Sequence, residues 1–163
     1  MHIIVVVCEK HDEGMKKMSL FTVKGTWNGD RNGEGTITTD GLHTVVSAPK
    51  QLDGPGKGAN PEELLVAAAT NCYMLTLAAI LSNRDIQYTH LDVETEGTVG
   101  KNGKRLIFEK IVHKLVIYVK QADEELQEKL IQLAHRAETA CFISQTLKEN
   151  VEVTVEPVVK VIG

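Results

Sequence analysis

The chain has 163 residues, 42% hydrophobic and 25% charged, which is the sequence of one compact domain with a core of its own. Its 18 basic and 22 acidic residues leave a formal charge of −4, so there is no general basic field to draw nucleic acid. Three cysteines, Cys8, Cys72 and Cys141, are too few and too far apart for a secreted disulfide scaffold, and the cytoplasm is the expected compartment.

The apolar run at residues 3–7 lacks a basic leader and is followed by Glu9, Lys10, Asp12 and Glu13, so it reads as a short strand and not a signal peptide. Met15 and Met18 stand just before the first good strand pattern, and Asp12-Glu13-Gly14 is what a purine-rich ribosome-binding site would encode in frame. Residues 1–17 are therefore set apart as an extension, on the hypothesis that translation starts at Met15 or Met18, and residues 18–163 form the domain.

From residue 19 the pattern is β-like: Phe21, Val23 and Trp27 alternate with Thr22, Lys24 and Thr26, and residues 36–39 and 43–48 are rich in β-branched side chains. Asn28-Gly29, Asn32-Gly33 and Asp40-Gly41 supply the turns of an antiparallel meander. A glycine-rich stretch, residues 54–58, follows; it lacks the spacing and terminal Lys-Ser/Thr of a phosphate loop and is expected to be a flexible loop over the site. Asn60-Pro61-Glu62-Glu63 then reads as a helix start, with Asn60 as cap and acids in the first turn, and the helix should run to about Ser82.

That helix is apolar almost all round. Residues 64–81 approach membrane-spanning length, but Thr70, Asn71 and Thr76 interrupt them and no membrane span is expected. In a soluble protein such a helix needs cover on more than one side, from a second layer of the same chain or from another subunit, and its many alanines suit close helix–helix contact across a dimer.

Residues 91–99 alternate as a strand with one wet face, residues 106–119 form a longer, better covered strand paired with it, and Leu126, Leu130, Leu133, Ala134 and Ala137 define a second helix capped by Asp123. Val151, Val153 and Val155 close the chain as a strand that Pro157 places at an edge or brings to an end. The order βββ-α-ββ-α-β is α+β.

A cysteine on an apolar helix is by itself more often core filler than a nucleophile. Here Cys72 has company. Gly29-Asp30-Arg31, Asn60-Pro61-Glu62-Glu63-Leu64, Cys72 ten residues past Glu62, and Cys141 followed three residues later by Ser144 occur in that order. In these features the chain resembles the OsmC/Ohr group (osmotically inducible protein C and organic hydroperoxide resistance protein) from about Leu20 to Val159, and Phe142, where Ohr-type members carry proline, marks a divergent OsmC-like subgroup.

The resemblance implies antiparallel sheets wrapped around central helices in an intertwined homodimer. It also implies a thiol-dependent peroxidase that reduces organic hydroperoxides through Cys72 and Cys141 and is regenerated by a dithiol such as dihydrolipoamide; separately, the residues call for no cofactor and no metal. Cys72 would be the peroxidatic nucleophile, Cys141 the resolving thiol, Arg31 the activating cation and Glu62 its orienter.

The chemistry asks for those residue types. A thiolate attacks one peroxide oxygen while the other leaves as alkoxide, so the thiol pKa must be lowered, and burial among Leu, Ala and Met would raise it unless a cation stands nearby. A carboxylate gripping the guanidinium in a bidentate pair would fix its direction. The bland alternatives are a dipole-complementing Glu62 and a solvated hairpin Arg31.

Ten residues of unbroken helix would separate Glu62 from Cys72 by about 15 Å, so either the helix begins nearer to residues 64–69 or Arg31 and Glu62 reach Cys72 from a partner chain. If Cys141 condenses with the sulfenic acid of Cys72, the segment after the second helix must fold back on the first.

Other candidates are weaker. The six histidines pair with no cysteine at metal-ligand spacing, and Trp27 and Tyr73 could line a substrate pocket or simply pack. Two rival functions stand beside the peroxidase: a non-enzymatic redox-sensing or small-molecule-binding dimer, and a cysteine hydrolase, which would need His43 or His113 hydrogen-bonded to Cys72.

Overall fold

A computed structural model describes residues 19–162. Cys8 and the question of the translation start lie outside the described residues. The elements are β1 (Lys24–Asn28), β2 (Glu34–Thr38), β3 (His43–Val46), a 3-10 turn (Lys50–Leu52), α1 (Pro61–Ser82), β4 (His90–Asn102), β5 (Arg105–Val119), α2 (Glu124–Ala140), α3 (Phe142–Leu147) and β6 (Glu152–Val161).

Strands β1, β2 and β3 form an antiparallel meander in sequence order, with Trp27 opposite Gly35 and Thr36 opposite Val45. The first strand begins at Lys24, later than the alternation from residue 19 implied, and Leu20, Phe21 and Val23 ahead of it are 90%, 87% and 61% exposed. Both hydrophobic clusters of the fold are built from residues of α1 onward, and this meander contributes to neither. Among the described residues, its apolar side chains therefore have no partner layer within the chain.

Helix α1 starts where the sequence signals it. The Asn60 side chain accepts from the Glu63 N–H at 2.8 Å, the Glu63 carboxylate accepts from the Asn60 N–H at 3.3 Å, and Pro61 occupies the first helical position, where it has no N–H to leave unsatisfied. The helix runs unbroken for 22 residues, which removes the expectation of a later start as a way of bringing Glu62 near Cys72. It is long and apolar enough to cross a membrane by length and composition, and only 28% of its most apolar stretch is buried within the chain. Tyr73, Leu77 and Leu81 on its inner side are nonetheless fully buried against Leu130 and Ala134 of α2 and Leu115 and Ile117 of β5.

The second sheet has the order β4-β5-β6. β4 and β5 pair antiparallel as a long hairpin, with an irregularity between Thr98 and Val99, but β6 pairs with β5 in parallel, so this sheet is mixed and the expectation of purely antiparallel sheets is corrected. The reason is the crossover: α2 and α3 carry the chain back along the sheet before β6 begins, which is the connection a parallel pair requires. Pro157 sits inside β6, opposite Leu115, on an edge strand that tolerates its missing donor and continues past it.

Asp123 caps α2 by accepting from the Leu126 N–H at 2.9 Å. Cys141 then breaks the helix in an extended conformation, φ −66° and ψ 118°, and the chain re-enters a short helix, α3, that the sequence reading did not contain. Six residues are too few to show a period.

Candidate active site

Cys72 lies on the inner face of α1 and Cys141 at the joint between α2 and α3. Both are buried free thiols, Cys72 8% exposed and Cys141 0%. Their sulfurs lie 2.6 Å apart, with a hydrogen bond shared between the two thiols. The segment after α2 thus folds back against α1 and brings together thiols 69 positions apart.

Within one protomer this arrangement does not activate Cys72. Burial pushes its thiol up from the ordinary value and the hydrogen bond with Cys141 pushes the same way, while the Ile143 N–H and the Thr76 hydroxyl pull it down. Among the described residues, no cation of the same chain acts on this sulfur.

Arg31 and Glu62 are found together elsewhere. With Trp27, Pro49, Leu52 and Pro61 they line a predominantly apolar pocket of about 350 Å³ where the meander and the 3-10 turn meet the start of α1. The Arg31 guanidinium is exposed and donates to the Leu52 carbonyl at 3.1 Å; it forms no ion pair with Glu62, whose Oε2 is buried without a hydrogen-bond partner. Glu62 and Cys72 sit ten residues apart on one continuous helix, about 15 Å along its axis.

Trp27 is held in place from two sides. Its indole N–H donates to the Asp30 carbonyl at 3.1 Å, and the facing residue is Gly35, where a Cβ would come within 2.9 Å of the indole ring. The glycine-rich stretch bordering the pocket is pinned and not a free lid: Gly56 N–H donates to the Ala48 carbonyl at 3.0 Å, Lys57 N–H to Ser47 Oγ at 2.7 Å, and Lys57 pairs with Glu34 at 3.1 Å.

Tyr73, the other aromatic considered for the pocket, is a core residue. Its hydroxyl donates to the Ala134 carbonyl at 3.3 Å and its ring stacks on His113 at 4.6 Å between centroids. His113 is fully buried, its Nδ1 is 2.8 Å from Thr95 Oγ1, and burial lowers its pKa to about 4. His43 is bonded to Thr38. Neither histidine is hydrogen-bonded to Cys72, so the cysteine-hydrolase reading has no base in this protomer among the described residues. Nor do those residues contain a cluster of three or more potential metal ligands.

The sequence reading missed Thr76 and the Ile143 N–H as neighbours of Cys72. Thr76 had a signal, a hydroxyl one helical turn after the cysteine; the Ile143 N–H had none, because it depends on α3.

A family model described as OsmC-like protein matches residues 54–156, from the glycine-rich stretch to β6. The chain belongs to the OsmC/Ohr family. It is 39% identical to the uncharacterized protein YmaD of Bacillus subtilis, over 88% of this chain and 96% of that one. It is 28% identical to Peroxiredoxin OsmC of Escherichia coli, over 77% and 87% respectively, and to the organic hydroperoxide resistance protein of Xanthomonas axonopodis pv. citri, over 83% and 92%. Among solved structures, an OsmC-like protein of unknown function from Vibrio cholerae superimposes with a TM-score of 0.75 at 22% identity, covering 86% of this chain and all of that one. Glu62, Cys72, Cys141 and Ser144 fall inside the family match, and Arg31 and Trp27 precede it.

Proposed function

We propose that this OsmC-like protein is a thiol-dependent peroxidase that reduces organic hydroperoxides through Cys72 and Cys141 and is regenerated by a dithiol. The observation that carries the reading is the 2.6 Å approach of the two free sulfurs. It is supported by relatives named for peroxiredoxin activity and organic hydroperoxide resistance.

In this mechanism the Cys72 thiolate attacks one peroxide oxygen; an S–O bond forms, the O–O bond breaks, and the alkoxide takes a proton to leave as alcohol. The Cys141 thiol then displaces hydroxide from the sulfenic acid, giving water and a disulfide. A dithiol reductant returns both thiols and becomes a disulfide itself.

The cation comes from a second copy. The exposed apolar residues of the meander, the half-covered α1 and the distance from Glu62 to Cys72 all support a homodimer in which Arg31, Glu62 and Trp27 of one protomer sit over the cysteine pair of its partner. There Arg31 lowers the thiol pKa and holds the peroxide, Glu62 orients it, and the apolar pocket takes the alkyl group, which favours organic hydroperoxides over hydrogen peroxide.

The test is multiple-turnover consumption of cumene hydroperoxide and hydrogen peroxide with dihydrolipoamide for the wild type, Cys72→Ser and Cys141→Ser. Rapid loss of the organic peroxide that vanishes in Cys72→Ser is expected. Equal behaviour of wild type and Cys72→Ser would overturn the reading. The burial that raises the Cys72 thiol favours one second reading, a slow redox sensor, recognised by a single stoichiometric oxidation without turnover.

A further inference from the structure

Glu138 stands in the last turn of α2 and is only 8% exposed. A carboxylate there faces the carbonyls at the negative end of the helix, and acids are almost never this buried unless paired, so the position is costly. Among the described residues its counter-charge is Lys148, whose Nζ lies 3.3 Å from Glu138 Oε1, an atom buried without a directed hydrogen bond. Lys148 is the C-terminal cap of α3. The pair therefore bridges the break in the helix at Cys141, with one charge on each side of it. What it bridges is a weak joint. α3 has six residues and no side-chain cap at its start, well short of a helix that is stable alone. Ile143 and Leu147 pack it against the cluster of Ala69 and Ile111, but apolar contact has no direction. Gln145 adds one bond back to α2, its Nε2 donating to the Thr139 carbonyl at 2.7 Å. On the other side Tyr73, next to Cys72, donates to the Ala134 carbonyl, one turn before Glu138. α2 is thus a common rail: Tyr73 ties the Cys72 segment to it and Glu138 ties α3 to it, with Cys141 at the joint.

We infer that Glu138 and Lys148 are positioning residues, an ion-pair clasp that holds Cys141 against Cys72 for the disulfide-forming step. In that step the Cys141 sulfur forms the S–S bond, the S–O bond of the Cys72 sulfenic acid breaks, and its hydroxide leaves with the Cys141 proton as water. Without the clasp, closing the disulfide must also order α3 on α2, and the pair loses effective concentration. This deepens the peroxidase reading and rests on it for its role in turnover, while the clasp acts on the thiol pair whatever the oxidant.

The test is the equilibrium of the Cys72–Cys141 disulfide with dithiothreitol in the full chain, resolved from Cys8 by peptide mass spectrometry. Glu138→Gln and Lys148→Met each remove one charge at nearly constant shape, and each is expected to lower the constant for disulfide formation about tenfold, with the double variant no lower than the lower single. Urea unfolding of the reduced proteins runs alongside. Single variants that lose stability but keep the wild-type equilibrium, or a double variant whose loss is the product of the two single losses, would overturn the inference. With one equivalent of cumene hydroperoxide, dimedone should trap more Cys72 sulfenic acid in both single variants while the peroxide disappears at the wild-type rate. Peroxide turnover of the wild type is measured separately: a clasp-dependent equilibrium without turnover defeats the peroxidase reading and leaves the inference standing, and turnover with a clasp-independent equilibrium does the reverse.

Discussion

The half of the chain from α1 to β6 and the meander that precedes it obey different rules. The first closes a core around Tyr73, Leu77, Leu115 and Leu130, and carries both thiols of the pair. The second has regular strands and fixed turns but shares no core, leaves Leu20 and Phe21 almost fully exposed, and carries Arg31. On the proposed dimer, separating cation from thiol in this way would keep Cys72 quiet in a lone protomer and tie its activation to assembly, and the halves should respond differently to substitution.

The largest effect belongs to the self-sufficient half. Leu77→Ala should cost about 2–5 kcal/mol, measured by urea unfolding, because it empties a fully buried site. A cost near zero would mean that this core is not closed within the protomer.

Acid should act on the same half through His113. Its folded-state pKa of about 4 lies below the ordinary 6.5, so the buried neutral ring contributes stability that is complete above pH 6.5 and is lost as pH falls through 4. The loss is at most about 3 kcal/mol over that window, and His113→Leu should flatten the pH dependence of the unfolding midpoint.

At the joint between the halves, Asn60→Ala removes the cap of α1 and should cost about 1 kcal/mol, with Asn60→Asp retaining most of it. Smallest of all, Phe21→Ser just ahead of the meander should change unfolding of dilute protein by less than about 0.5 kcal/mol, while shifting sedimentation toward the monomer. A large stability loss from Phe21→Ser in dilute protein would erase the contrast.

Much of this was legible in the sequence where the physics is local. The ends of α1 follow from Asn60, Pro61, Glu63 and the apolar run, and Asp123 marks α2 in the same way. The direction of β6 was not, since strand polarity is set by how α2 and α3 cross the sheet and not by the alternation of Val151, Val153 and Val155. Nor was the bareness of the meander: alternation announces a face to be covered without saying which chain covers it. At the site, Cys72 and Cys141 were singled out from a family pattern and the fold brings them together, whereas the expected Arg31–Glu62 grip is absent and the two share a pocket instead.

The central claim, that the site is divided between two chains, is tested most directly by mixing two inactive variants. Arg31→Ala and Cys72→Ser homodimers are combined, exchanged by mild denaturation and refolding, and assayed for cumene hydroperoxide reduction. If Arg31 serves the partner's Cys72, half of the dimers carry one complete site and activity returns to about a quarter of the wild type. No recovery from a mixture that sedimentation proves to be heterodimeric would contradict the account and place Arg31 and Cys72 in one protomer's site.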